Sequence, residues 1–252
     1  MIIIRDSIKR RLFSTIFQIL KISSSIVHIH LTNDAFSIQG MDNSHVCLFD
    51  IQLKREWFEE YNMIDSVIHI DTTILSTILS FGASDTNEIR ITSEQDIIQI
   101  DFIHPIYNKF FQIPLIDADY SWMSIPNTSE YDTEFIVPAK IINEICSQLI
   151  TFGDIVTFCC SEDNITLYTN DSSNGEMKVV IPIDDLMEYS IVEGETVQVQ
   201  YSLRYIQRYC LNTNICNHIH FSISRDSPLK IAYLSTNCLI QFFIAPKIDS
   251  DL

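Results

Sequence analysis

Residues 31–53, LTNDAFSIQGMDNSHVCLFDIQL, decide how the chain folds. Thr32, Asn33 and Asp34 are turn formers; beyond them Phe36 and Ile38 alternate with polar residues, giving a strand with one apolar face. Gly40 reads as the reversal into a third strand that runs from His45 to Leu53. Nothing in the stretch could perform catalysis.

Outward from this stretch, apolar residues at spacings of three and four predict helices near 10–21, 72–81, 139–151 and 202–211. Alternating or β-branched runs predict strands at 27–31, 46–53, 66–70, 88–92, 97–103, 110–115, 155–159, 164–169, 177–183, 196–201, 218–223, 229–235 and 239–244. The pattern repeats at an offset of about 129 residues. Phe13, Ile16, Phe17 and Leu20 map onto Ile142, Ile145, Cys146 and Leu149, while Phe36 and Ile38 map onto Ile165 and Leu167. Each half reads as a short strand, a helix, a group of strands, a second helix and a last group of strands. The expected fold is α+β, a duplicated domain: an N-terminal domain over 1–115, a connector over 116–134 and a C-terminal domain over 135–252. Trp122, Met123 and Ile125 are too apolar for a solvated connector. Either they are pinned beside a groove, or the connector packs on its own domain for stability alone.

Composition narrows the function classes. With 46% hydrophobic and 19% charged residues the chain is not disordered, and no apolar run approaches the roughly 18 residues that span a bilayer. A soluble intracellular protein without a signal peptide is expected, with no membrane partner. Seven cysteines without a C-x-x-C spacing argue against a disulfide framework and a zinc ribbon; Cys159 and Cys160 point to opposite faces of one strand. Five glycines leave no phosphate-binding loop, and no nucleophile or metalloprotease motif occurs, so no enzyme, cofactor or metal site is expected. His28/His30 and His218/His220 each put two imidazoles on one strand face, but a third metal ligand is not identifiable. Asp117 and Asp119 read as a solvated pair.

A formal charge of −17 opposes binding to phosphates, unless the charge is uneven. Projection at about 100° per residue puts Arg11, Ser14, Gln18 and Lys21 on the outer face of the first helix and Thr73, Ser76, Thr77 and Ser80 on that of the second. The third and fourth show Lys140, Asn143, Ser147 and Thr151, and Arg204, Arg208 and Asn212; Ile74 and Ile141 are expected inside. These faces carry five basic residues and no carboxylate, with Glu144 at an edge, in a chain with 33 Asp and Glu. That suits a channel for a polyanion; the plainer reading is that amphipathic helices simply have polar faces.

Short motifs in order then identify a resemblance over almost the full length. Met41-Asp42-Asn43-Ser44-His45-Val46, Met123-Ser124-Ile125-Pro126, Phe152-Gly153-Asp154, Ser202-Leu203-Arg204-Tyr205, Asp226-Ser227-Pro228-Leu229 and Ile244-Ala245-Pro246-Lys247-Ile248 are similar to segments of the proliferating cell nuclear antigen family, the eukaryotic-type sliding clamps. The resemblance implies a homotrimeric ring around duplex DNA that is opened by an ATP-dependent clamp loader. Such a ring tethers DNA polymerase and other replication and repair proteins, in the nucleus or at a site of viral replication. It implies a partner groove from Met41, His45, Val46, Leu48, Met123, Ile125, Pro126, Pro228, Phe243, Ala245, Pro246 and Lys247 that takes paired aromatics. DNA-facing residues would be Lys9, Arg10, Arg11, Lys21, Lys140, Arg204 and Arg208, and the subunit edges would present Lys109, Phe111 and Ile113 to Met177, Val179 and Ile181. The helices depart from the family in carrying fewer basic residues, and Arg208 falls where the family more often has an apolar one. The alternatives are a subunit of a heteromeric, checkpoint-type clamp, a viral processivity factor without a closed ring, or a scaffold with weak or no DNA binding.

Overall fold

The computed structural model describes residues 1–82, 86–94, 96–125, 131–171, 174–210 and 215–247. The chain divides into two compact units: Met1–His45 with Phe49–Met123 and Ser235–Ile240, and Val46–Leu48 with Ser124–Leu234 and Gln241–Leu252. Along the first half lie β1 (Ile2–Ile4), α1 (Ser7–Ser23), β2 (Ile26–Leu31), β3 (Ala35–Met41), β4 (Cys47–Lys54), β5 (Glu60–Tyr61), β6 (Ser66–Asp71), α2 (Thr72–Ser80), β7 (Glu88–Glu94), β8 (Ile97–Ile103) and β9 (Asn108–Pro114). Along the second lie β10 (Thr133–Pro138), α3 (Ala139–Leu149), β11 (Ile155–Cys160), β12 (Asn164–Asp171), β13 (Gly175–Pro182), β14 (Glu188–Ile191), β15 (Val197–Ser202), α4 (Leu203–Cys210), β16 (His218–Ser224), β17 (Ser227–Ser235) and β18 (Cys238–Ile244).

The duplication is visible in the strand order. Among the strands of the first half the order runs β5-β1-β7-β8-β9 and β4-β3-β2-β6; among those of the second half, β14-β10-β16-β17-β18 and β13-β12-β11-β15. Each strand of one series has its counterpart at the same place in the other. β9 pairs only with β8 and β13 only with β12, so each leaves a sheet edge without a backbone partner among the described residues.

Helix capping and aromatic packing fix the first unit. Asp6 caps α1, accepting from the backbone N–H groups of Ile8 and Lys9 at 2.8 and 2.9 Å, and Asp71 caps α2 by accepting from Ile74 N–H at 2.9 Å. Each cap contributes about 1 kcal/mol. Leu12, Phe13, Ile16, Phe17 and Leu20 are buried as the helical period requires, with Phe13 meeting Phe17 and Phe36 edge-on at 5.1 and 5.6 Å.

Three expectations need correction. Ser14 and Ser76, read as outward, are 2% and 4% exposed. The cause is that α1 packs against α2, so both helices bury a second stripe, and small hydroxyl residues allow the approach. Ile74 and Ile141 are 47% and 46% exposed instead of buried, each lying near the start of a short helix beyond the apolar stripe. Gly40 does not reverse the chain: it lies inside β3, where a Cβ would stand 2.5 Å from the Phe49 ring. The reversal comes later, where Asp42 O and Oδ2 accept from His45 N–H at 2.9 Å and Ser44 N–H at 3.1 Å and His45 takes φ 56°.

Candidate functional site

The four α-helices hold Lys9, Arg10, Arg11, Lys21, Lys140, Arg204 and Arg208 but, of the 33 acidic residues, only Glu144. The seven cations are not equivalent. Arg10, expected to face DNA, is 6% exposed and its guanidinium donates to the carbonyls of Arg5 and Asn87; it closes a loop and is unavailable to an external anion. Lys9 is half-buried, its ammonium 3.0 Å from Glu59 and above the Trp57 ring. Arg204 makes a bidentate, exposed pair with Asp154 at 2.9 and 3.0 Å. Arg208 lies 5.2 Å from the Tyr205 ring centroid. Among the described residues, Arg11, Lys21, Lys140 and Arg208 have no carboxylate within salt-bridge distance. In the first unit Lys21 shares a shallow depression with Gln18 and Ile22 of α1 and Ser76, Thr77 and Ser80 of α2. The depression thus sets an ammonium beside hydroxyls and an amide with no acid in its lining.

The edge strands carry the residues expected at a subunit boundary. Along β13, Met177, Val179 and Ile181 are half-buried and alternate with exposed Glu176, Lys178 and Val180. On β9, Lys109 and Phe111 are half-buried; Phe111 packs on Phe102 and Phe81, and the Lys109 ammonium donates to Phe81 O at 3.1 Å. Ile113 is a correction: at 2% exposure its side chain belongs to the core of its own unit, leaving only its backbone for a neighbouring chain.

The connector lies on the first unit's β3-β2-β6 face. Gln39, 0% exposed, holds it at both hydrogen-bonding groups of Met123, accepting from Met123 N–H at 2.7 Å and donating to Met123 O at 3.0 Å. Tyr120 stacks on His28 with centroids 4.0 Å apart and planes 11° apart, and its hydroxyl lies 3.2 Å from Gln39 O and Oε1. His28 and His69 meet Nδ1 to Nδ1 at 2.8 Å. Trp122 stands edge-on to His30 at 5.5 Å. Burial, and secondarily the neighbouring His69, lower the pKa of His28 below its ordinary value. Asp50, on the same outer alternation of β4, is 0% exposed with Oδ1 unpartnered, and burial pushes its carboxyl up to about 6.

The other residues expected at a partner groove are divided between the two units. Met41 and Met123 are half-buried in the first, which also holds exposed His45. In the second, Val46, Leu48, Ile125, Pro228 and Pro246 are half-buried, Ala245 and Lys247 exposed, and Phe243 only 3% exposed. Ala245 N–H donates to Val46 O at 2.9 Å and Lys247 N–H to Gln200 O at 2.8 Å, which ties the C-terminal segment down. Pro126, with Asn212 of the fourth helix face, lies outside the described residues. Sequence reasoning missed Gln39, Tyr120, His69 and Asp50. The available signal was polar residues at outward strand positions opposite an aromatic connector. Among the described residues no group of three or more His, Cys, Asp or Glu could hold a metal ion, and no helix is long and apolar enough to cross a membrane.

Two family models divide the chain between them: the proliferating cell nuclear antigen N-terminal domain matches residues 4–130 and the C-terminal domain residues 124–248. The fold is similar to the crystal structure of proliferating cellular nuclear antigen from Entamoeba histolytica, with a TM-score of 0.87, 20% identity and 98% of each chain covered. With both halves matched in order and the clamp fold present throughout, this chain belongs to the proliferating cell nuclear antigen family.

Proposed function

We propose that this chain is a DNA polymerase processivity factor, a ring of three copies that encircles duplex DNA and tethers replication and repair proteins. The observation that carries this reading is the segregation of charge. A protein of net charge −17 keeps all but one carboxylate off its four α-helices and leaves Arg11, Lys21, Lys140 and Arg208 without acidic partners among the described residues. Sliding needs such attraction to the phosphate backbone without base readout. The unpartnered edges of β9 and β13 suit head-to-tail closure by strand addition. Its role is that of a passive tether opened by an ATP-driven loader, not of an enzyme. Partners carrying a paired-aromatic motif would bind at the groove residues that the family resemblance implies.

The test is native mass by light scattering across a dilution series, followed by loading onto a closed circular duplex. Three copies of 29.1 kDa give about 87 kDa, and the loaded protein leaves when the circle is linearised. A persistent monomer overturns the homotrimer and favours a subunit of a mixed ring. A trimer that is not retained on circular DNA overturns the sliding reading and leaves a protein-interaction scaffold.

A further inference from the structure

Across three adjacent strands of the first unit runs a single row of polar side chains. His69 on β6 is the cross-strand partner of His28 on β2, and His28 is the cross-strand partner of Gln39 on β3. The connector covers this row: Tyr120 stacks on His28, reaches Gln39 with its hydroxyl, and hands the chain to Met123, whose two backbone groups both bond the Gln39 amide. A side-chain amide in this role replaces a strand neighbour, giving one irregular residue the paired bonds that a sheet would give it.

We propose that Gln39 is a positioning residue, which fixes the connector at Met123 through this amide clamp, and that the His28–His69 pair beneath Tyr120 is the keystone that lets protons loosen it. For its consequence at the partner groove, the proposal rests on the function proposed above.

The chemistry of the keystone sets the direction. A 2.8 Å Nδ1–Nδ1 contact requires one ring to donate and the other to accept, so it tolerates one proton on the pair but not two. With both rings protonated, two donors and two positive charges face each other under the Tyr120 ring. Burial already disfavours the charged form of His28, so the row is intact at neutral pH and fails as pH falls below the ordinary imidazole range. The titratable groups facing the row are His30 on β2 itself, His69 on β6, Asp50 on β4 and Tyr120 on the connector, which also carries exposed Asp117 and Asp119; β3 contributes the uncharged Gln39 and Ser37. Asp50 titrates in the same range, so a variant that silences His28 while keeping Asp50 separates the two.

The experiment is amide hydrogen exchange of the connector in the full-length protein, corrected for intrinsic exchange chemistry at each pH, with binding of a paired-aromatic peptide measured in parallel. Gln39→Leu should speed exchange of the Met123 amide roughly tenfold, as expected for losing two hydrogen bonds, and weaken the peptide several-fold. Should Gln39→Leu not fold, Tyr120→Phe removes one hydroxyl contact to the clamp and should give an acceleration of about threefold. In the wild type, Met123 protection should fall between pH 7.5 and 5, while His28→Phe, which keeps the stack on Tyr120 and removes the imidazole pair, should lose most of that fall and keep only the part due to Asp50. Met123 exchange unchanged by Gln39→Leu or, where that variant does not fold, by Tyr120→Phe overturns the clamp. Wild-type and His28→Phe profiles that coincide overturn the keystone. Failure of the wild type to bind the peptide at all would strike the groove reading alone, since the exchange readout does not depend on it.

Discussion

Replacing Asp50 by Asn should stabilise the protein increasingly as the pH rises. The carboxyl is fully covered, and among the described residues Oδ1 has no partner and Oδ2 only Gln52 Nε2 at 3.5 Å. Desolvation raises its pKa from an ordinary 3.8 to about 6. The sign follows from proton linkage. Below pH 3.8 the group is protonated in folded and unfolded chains alike and imposes no penalty; between 3.8 and 6 the unfolded chain ionises freely while burial keeps the folded carboxyl protonated, so stability is lost over that interval and the loss levels off once the folded chain ionises too. Asn stays neutral throughout. A rise of this size is worth on the order of 3 kcal/mol once both states are ionised, and about half of that is already present at pH 5. The variant's advantage should therefore widen by about 1.5 kcal/mol between pH 5 and pH 8. The new amide N–H donors impose a fixed penalty of roughly 1–3 kcal/mol where unpaired, which shifts the whole curve without changing its slope. Urea unfolding of both proteins at one protein concentration, with m-values compared at each pH, reads this difference. Two stability curves that stay parallel from pH 5 to pH 8 would refute a buried, ionising Asp50.

Three further outcomes are expected. Phe110→Asp and Val180→Lys, at apolar positions 64% and 51% exposed on the two edge strands, should lower the native mass towards 29.1 kDa with an unchanged circular dichroism spectrum; an intact trimer would show that the edges do not join subunits. Lys21→Glu combined with Lys140→Glu should weaken retention on duplex DNA and flatten the dependence of log K on log salt by about 2, and an unchanged slope would remove these residues from the DNA-facing surface. Gly40→Ala should destabilise by about 1–3 kcal/mol through collision with Phe49, and a Phe49→Leu partner should recover part of it in a double-mutant cycle. Additive single effects would show that the close approach is not the cause.

By itself, the sequence determined whatever depends on neighbours along the chain. Helical period placed Phe13, Ile16 and Phe17 in a core, alternation placed Phe36 and Ile38 on one face, and comparing the two halves exposed the duplication that the strand orders repeat. The order of short motifs carried the family. Only the tertiary structure decided the fate of polar side chains, because their partners are distant in sequence. Gln39 meets Met123 across 84 residues, His28 meets His69 across 41, and Arg10 is withdrawn from the surface by Asn87, 77 residues on. Helical projection assigned Ser14 and Ser76 to solvent because it knows one helix at a time; packing α1 against α2 buries a second face that no period within either helix encodes.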